Sequence, residues 1–182
     1  MKQIRVRIEG TAPLLMNQFI EVPAGPKPNN PQKGTPYEQA EMKVYKDSKG
    51  NPMIPGANIY SGIIHAGHFQ KLGKSKLTTQ KSSLIPAGIF ITDIECLVTP
   101  TNWCVDSRPV VIPSTGGRVM CHRPRFDEWG LRFNIEYDED MFSEAIVQQL
   151  VKDMGSKLGL GDFRPQKKGP FGRFKVTEWF TG

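Results

Sequence analysis

Residues Gly159–Phe174 bring four glycines, four cations and three phenylalanines into one short stretch. Arg164, Lys167, Lys168 and Arg173 are side chains that pair with phosphate oxygens, the arginines through a planar fork and the lysines as point charges. Phe163 and Phe171 offer flat faces on which bases stack. Gly159, Gly161, Gly169 and Gly172 permit positive φ and close approach of the backbone to something large. The chemistry open to this set is recognition of a polyanion, with no bond made or broken. The same composition also suits a helix C-terminus followed by a long surface turn.

Three more basic zones accompany the stretch. Arg5 and Arg7 stand on one side of an alternating segment at the start of the chain. Lys71, Lys74, Lys76 and Lys81 fall within Lys49–Thr92, where no acidic residue occurs. Arg108, Arg118, Arg123 and Arg125 crowd residues 101–129, with Trp103 and Phe126 as candidates to stack on or wedge between bases. Were all four zones to face one groove, they would track a phosphate backbone. A formal net charge of +6 and a pI near 9.3 favour a polyanionic partner.

Bond-making sets are missing from the sequence. There is no G-x-S-x-G elbow, and Gly169–Arg173 lacks the Lys-Ser/Thr pair of a P-loop. The run Gly159–Arg164 follows a helical segment and precedes a strand, the reverse of the context of a dinucleotide fingerprint. Cys96, Cys104, Cys121 and His122 lack zinc-ligand spacing, and His65 and His68 are not i,i+4 partners. The expectation is a protein that is not an enzyme and holds neither metal nor cofactor. Three cysteines without short paired spacing point to a reducing compartment, the cytoplasm. No apolar run is long enough to span a bilayer, so no membrane is expected.

The elements that position these residues follow from periodicity. In Lys2–Gly10, Ile4, Val6 and Ile8 alternate with Gln3, Arg5 and Arg7, which predicts a half-buried strand. Ile59, Ile63 and Ala66 predict a helix over Ala57–Leu72. Gly88–Val98 predicts a strand with Phe90, Ile94, Cys96 and Val98 on one face, and Leu131–Tyr137 predicts another. Phe142, Ile146, Leu150, Met154 and Leu158 form the stripe of a second helix, and Phe174–Trp179 alternates as a last strand. The order β-α-β-β-α-β predicts one α+β domain over residues 1–182, of the ferredoxin-like or RRM-like split type. That fold has a four-stranded antiparallel sheet with both helices on one face, leaving the other free for a ligand or a partner subunit. Residues 18–52, rich in proline, glycine and asparagine, read as a flexible insertion with a short helix at Tyr37–Lys46. Residues 101–129 read as a β-hairpin insertion between the second and third strands, with Val110–Ile112 and Arg118–Met120 flanking its turn.

Met53-Ile-Pro-Gly-Ala-Asn-Ile-Tyr-Ser-Gly62 resembles the Pro-Gly segment that opens the first helix in the RAMP superfamily of CRISPR-associated proteins. Gly159–Phe174 resembles the C-terminal glycine-rich loop of that superfamily, which ends in Gly-Phe/Tyr-Gly-Arg before the last strand. The hairpin of residues 101–129 sits where backbone subunits of CRISPR effector complexes carry a thumb. The ending is also similar to that of uncharacterised phage and prophage proteins, which would place the chain in a host cytoplasm. The resemblance implies a modified RNA-recognition fold that polymerises along a single strand. It further implies strand-backbone contacts from Pro55, Gly56, Ala57 and Asn58, and from Gly159, Gly161, Gly169, Gly172 and Arg173. Ala57-Asn58 stands in place of the family's usual Ser-Ser.

Together these readings lead to a single-stranded RNA- or DNA-binding protein that assembles as a homo-oligomer or filament on its ligand. A ribonuclease using His65, His68, His122 or a metal-binding carboxylate is the second reading. A structural subunit whose basic surfaces meet an acidic protein is the third.

Overall fold

The computed structural model describes residues 1–21, 34–112 and 114–182. Part of the predicted flexible insertion, residues 22–33, lies outside the described residues. The chain begins with β1 (Lys2–Gly10), β2 (Leu14–Leu15), α1 (Pro36–Glu41), β3 (Met53–Pro55) and α2 (Gly56–Ala66). A small hairpin of β4 (Lys71–Leu72) and β5 (Ser75–Lys76) follows, then β6 (Ile89–Ile91) and β7 (Glu95–Leu97). A long hairpin of β8 (Cys104–Val111) and β9 (Arg118–Phe126) leads to β10 (Gly130–Tyr137), α3 (Glu144–Asp153) and β11 (Phe174–Thr181).

The main sheet is antiparallel throughout, in the order β11-β1-β10-β6. Its inner face is set by the period of two along each strand. Ile4, Val6 and Ile8 of β1 and Leu131, Phe133, Ile135 and Tyr137 of β10 are all buried. They meet Ile59, Ile63 and Ala66 of α2 and Val147, Leu150 and Val151 of α3 in one hydrophobic core. Each such aliphatic side chain contributes roughly 1.5–3 kcal/mol by leaving water. Gly62 lets the two helical segments close on each other: a β-carbon there would lie 2.4 Å from Met154 Sδ. The fold is therefore α+β, with α2 and α3 packed on the inner face of an antiparallel sheet.

Three expectations about the elements are corrected. Gly88–Val98 is not one strand. Asp93 accepts hydrogen bonds from the Asn134 backbone and side-chain amides, which stops the ladder with β10 after Ile91. The chain then re-pairs as β7 against β3, from Met53↔Leu97 to Pro55↔Glu95. The face predicted for this segment is split by the break: before it Ile89 is buried and Phe90 exposed, Ile94 is exposed, and beyond it Cys96 and Val98 are buried. The first helix starts at Gly56 and ends at Ala66, short of Leu72. Thr78 Oγ1 donates to the Ile64 carbonyl at 2.7 Å, and a β-carbon on Gly67 would lie 2.3 Å from that same oxygen. The second helix begins after its Ser143 cap, and past Asp153 it widens into a π-type turn at Met154–Leu158 before Gly159. The short helix expected at Tyr37–Lys46 is α1, which spans Pro36–Glu41, carries a Thr35–Glu38 capping box and buries Ala40.

At the widened turn Asp153 is buried and accepts hydrogen bonds from Lys157, Gln70 and Gln149. Burial pushes its carboxyl up, but the hydrogen bonds from Lys157, Gln70 and Gln149 outweigh it and hold the group below the ordinary 3.8. A folded pKa below the unfolded one stabilises the protein above that value and loses its effect as pH falls through the folded pKa. Asp153→Asn is expected to lower stability at neutral pH by about 1–2 kcal/mol. The gap to the parent protein should close as pH falls below 3.8. Urea unfolding across acidic pH measures both effects.

Candidate nucleic-acid interface

The glycine-rich loop runs back across the start of α2, and a cavity of about 250 Å³ lies between them. Asn17, Tyr45, Asn58, Ser61, Leu160, Gly161, Asp162 and Arg164 line it. The loop is shaped by its own backbone. Gly159, Gly161 and Gly172 take φ of 73°, 75° and 73°, a region that costs residues with a β-carbon. Leu160 N donates to Gly172 O at 2.9 Å, Asp162 N to Leu15 O at 2.7 Å, and Gly172 N to Pro13 O at 2.7 Å. Gly169 N donates to Arg164 O at 3.0 Å, closing the second half of the loop. These glycines make room for neighbouring backbone of the same chain: a β-carbon on Gly169 would lie 1.8 Å from Phe163 O.

Arg164 is the charge that this loop aims into the cavity. Its guanidinium donates to the Gly161 carbonyl at 2.7 Å and to Gln166 Oε1 at 3.0 and 2.8 Å, all neutral acceptors. Half-burial lowers its pKa from the ordinary value, against the pull of nearby Asp162. Asp162 itself is engaged by Arg123 at 2.7 Å. Across the cavity, α2 begins at Pro55 with no side-chain cap and no acidic residue in its first turn. Gly56 N donates to Ile94 O at 2.8 Å, and Gly56 passes so close to the Asp93 carbonyl that a β-carbon would overlap it. Ala57 and Asn58 are exposed, with amides that have no intrahelical acceptor. Asn17, Asn58 and the Ser61 hydroxyl make no side-chain hydrogen bond among the described residues and remain available to a ligand.

The hairpin arginines are placed differently from what their sequence crowding suggests. Asp106 is 4% exposed and stands opposite Arg123 across β8 and β9. Arg108 binds it through two hydrogen bonds of 2.7 and 3.0 Å, Arg125 approaches to 3.5 Å and Arg123 to 4.0 Å. Arg125 also pairs with Asp127, and Arg108 lies 4.8 Å over the Phe171 ring. Arg108, Arg123 and Arg125 are thus balanced by Asp106, Asp127 and Asp162, and the network ties the hairpin to the loop. Phe126 is fully buried and Phe171 is 6% exposed, so both pack the core and neither is presented to bases. Arg118, beyond the network, is exposed and unpaired among the described residues.

Arg5 and Arg7 are separated from the cavity by the sheet. They alternate with Ile4, Val6 and Ile8, which point to the helices, so both arginines lie on the opposite face. Arg7 is paired there with Glu178 and Glu9. The four basic zones therefore do not line one groove.

Two zones do share the helix side with the cavity. Lys167 and Lys168 are exposed on the loop, and Phe163 is half-buried with its ring 6.0 Å from that of Phe171. Arg173 is exposed, while its carbonyl accepts from Thr11 and Ala12. At the far end of α2, Lys71 stands directly opposite Lys76, with Lys74 in the turn between. Like charges facing across a strand pair repel. Between the cavity and this hairpin lie Ser61 and His65 on α2, and His65 Nδ1 donates to the Ser61 carbonyl at 2.7 Å. Asn17, Tyr45 and Ser61 were not foreseen as site residues, and His65 was foreseen only as a candidate base of the ribonuclease reading. Asn58, Ser61 and His65 share i,i+3/i+4 spacing that could have revealed them, but Asn17 and Tyr45 come from segments with no periodic signal.

Among the described residues no three His, Cys, Asp or Glu side chains gather as a metal site, and no helix is long and apolar enough to cross a membrane. Burial pushes the Cys96 thiol up to about 12.

No family model matches the sequence, and no curated protein matches it. A solved structure is similar in fold: a chain in the cryo-EM structure of the Type III-B Cmr-beta bound to cognate target RNA. The two align with a TM-score of 0.57 and 13% identity, over 99% of this chain and 60% of that one. This chain thus spans less than two thirds of the length of the one it matches.

Proposed function

We propose that this chain is a non-enzymatic single-stranded nucleic-acid-binding protein of the RAMP type, with RNA as its first ligand. The observation that carries the reading is Arg164, a half-buried cation with only neutral acceptors, facing an uncapped helix start across a polar cavity. One phosphate of a strand is held there, where a guanidinium and free backbone amides converge. The strand then follows the outer side of α2, past Ser61 and His65, to Lys71, Lys74 and Lys76. That helix is about 16 Å long, so the path takes several nucleotides. Lys167, Lys168 and Arg173 add charge around the loop. The strand order, with α2 and α3 on one face, supports a ferredoxin-like frame. The similarity in fold to a chain from an RNA-bound structure supports RNA as the ligand to try first.

Fluorescence anisotropy of a labelled single-stranded RNA tests this directly. The logarithm of affinity should fall linearly with the logarithm of salt concentration, by about 0.7 for each phosphate neutralised. Arg164→Ala should weaken binding roughly tenfold, as the loss of a charge-assisted contact predicts. Replacing Lys71, Lys74 and Lys76 together by alanine should flatten the salt slope by about 2. Affinity that does not change with salt would remove the electrostatic mechanism, and a shortened oligomer after incubation would refute the non-enzymatic reading.

A further inference from the structure

Phe69 stands at the far end of α2, on the proposed strand path, and is 47% exposed. Ser61, His65 and Phe69 are spaced four residues apart, so they share one side of α2 and of the turn Gly67–Phe69 that extends it. The aromatic residues singled out from the sequence are less free. Phe126 and Phe171 are buried, Phe163 is half-buried against Phe171, and Trp103 is stacked on Tyr37 with ring centroids 4.9 Å apart.

The Phe69 ring is held in place from two sides. Lys157 Nζ lies over one face, 4.6 Å from the centroid, within the range of a cation–π contact. Lys157 is fixed in turn by Asp153 at 2.9 Å, and the same buried carboxylate accepts from Gln70, next to Phe69 in the chain. One acid thus anchors both the segment that carries the ring and the cation above it. Lys157 has three N–H donors, of which Asp153 takes one, and its side chain remains exposed.

The surroundings of the ring are cationic. From Lys49 to Thr92 no acidic residue occurs, and Lys71, Lys74 and Lys76 follow directly after it. An exposed flat ring among cations suits a ligand that carries an anion beside each flat group, which is the chemistry of a nucleotide. We propose that the free face of Phe69 stacks one base of the strand while Lys157 holds an adjoining phosphate, a second nucleotide subsite beyond the Arg164 cavity. This subsite rests on the strand path proposed above and adds to it a group that grips a base. Phe69 lies about 16 Å from Asn58 by helical rise, so the stacked base is a few nucleotides from the phosphate at Arg164. Because every base has a π-face, the subsite accepts any of the four.

Fluorescence anisotropy on the shortest single-stranded RNA homopolymer that binds at full affinity is the test. Phe69→Leu keeps the apolar bulk at an exposed position and removes the ring, so the fold should stand while affinity falls about tenfold. Phe69→Trp should bind at least as tightly as the parent, and neither change should alter the salt slope. Lys157→Gln should flatten that slope by about 0.7. A single abasic nucleotide walked along the oligomer should weaken the parent about tenfold at one position and cost Phe69→Leu nothing there. Phe69→Leu that binds like the parent overturns the proposal, as does an abasic penalty equal in both proteins at every position. If the salt slope of the parent persists in those cases, the strand path stands and the ring is assigned to a protein contact instead. A parent chain that binds no single-stranded RNA overturns the subsite and the path together.

Discussion

Asp106→Ala will destabilise the protein by about 3–5 kcal/mol, a large part of the total stability of a domain this size. Asp106 is 4% exposed and faces three arginines, of which Arg123 is itself 5% exposed. Removing the carboxylate leaves the Arg123 guanidinium buried with only Asp162 as counter-charge, and its Nε already has no acceptor. Solvation cannot reach the group, so the penalty is that of a buried charge stripped of one of its two counter-charges. The pair Asp106→Ala and Arg123→Met should recover much of the loss, because a buried ion pair replaced by apolar side chains is often neutral. Chemical denaturation of the single and double variants measures the difference. A single variant within about 1 kcal/mol of the parent would mean the cluster behaves as a surface network.

Gly172→Ala will cost more than about 3 kcal/mol and will open the candidate site. Two penalties act together. The residue holds φ of 73°, where a β-carbon is strained, and that β-carbon would lie 1.8 Å from the Leu160 carbonyl oxygen. The obstacle is backbone, so no side-chain rotation relieves it. Displacing Gly172 breaks its bonds to Pro13 and Leu160, and these bonds set where Gly161 and Arg164 stand. Thermal melting should show the loss of stability, and anisotropy at low temperature should show RNA affinity reduced further than by Arg164→Ala. Gly73→Ala is the control. Its φ of 61° carries the same kind of backbone strain but meets nothing within 4 Å, so it should lose stability only modestly.

Much of the frame was legible because it rests on local periodicity. Ile4, Val6 and Ile8, or Leu131 through Tyr137, declare their inner face by alternation alone. The break at Thr92–Ile94 was not legible, because it depends on Asp93 reaching Asn134, a partner far along the chain. The site was legible in the wrong proportions. Counting arginines on the hairpin singled out Arg108, Arg123 and Arg125 as a ligand patch and overlooked the acids that neutralise them. A signal existed: Asp106 and Arg108 are two residues apart on one strand and so share a face, as do Arg125 and Asp127. Asp162 offered no such signal, since only the folded loop brings it to Arg123. The Pro-Gly start of α2 and Arg164 were recognised separately, and their meeting across one cavity is a property of the tertiary fold.

The facing lysines of the β4–β5 hairpin bear on how the protein holds itself when empty. Lys71 and Lys76 oppose each other in a ladder only two residues long on each side, with exposed Leu72 adding little burial. Such a unit sits at the low end of the local-opening scale, and its own charges push it toward opening. A polyanion laid between those lysines turns repulsion into shared attraction and tightens the ladder. On the proposed strand path, the ligand would supply the charge balance that this hairpin lacks by itself.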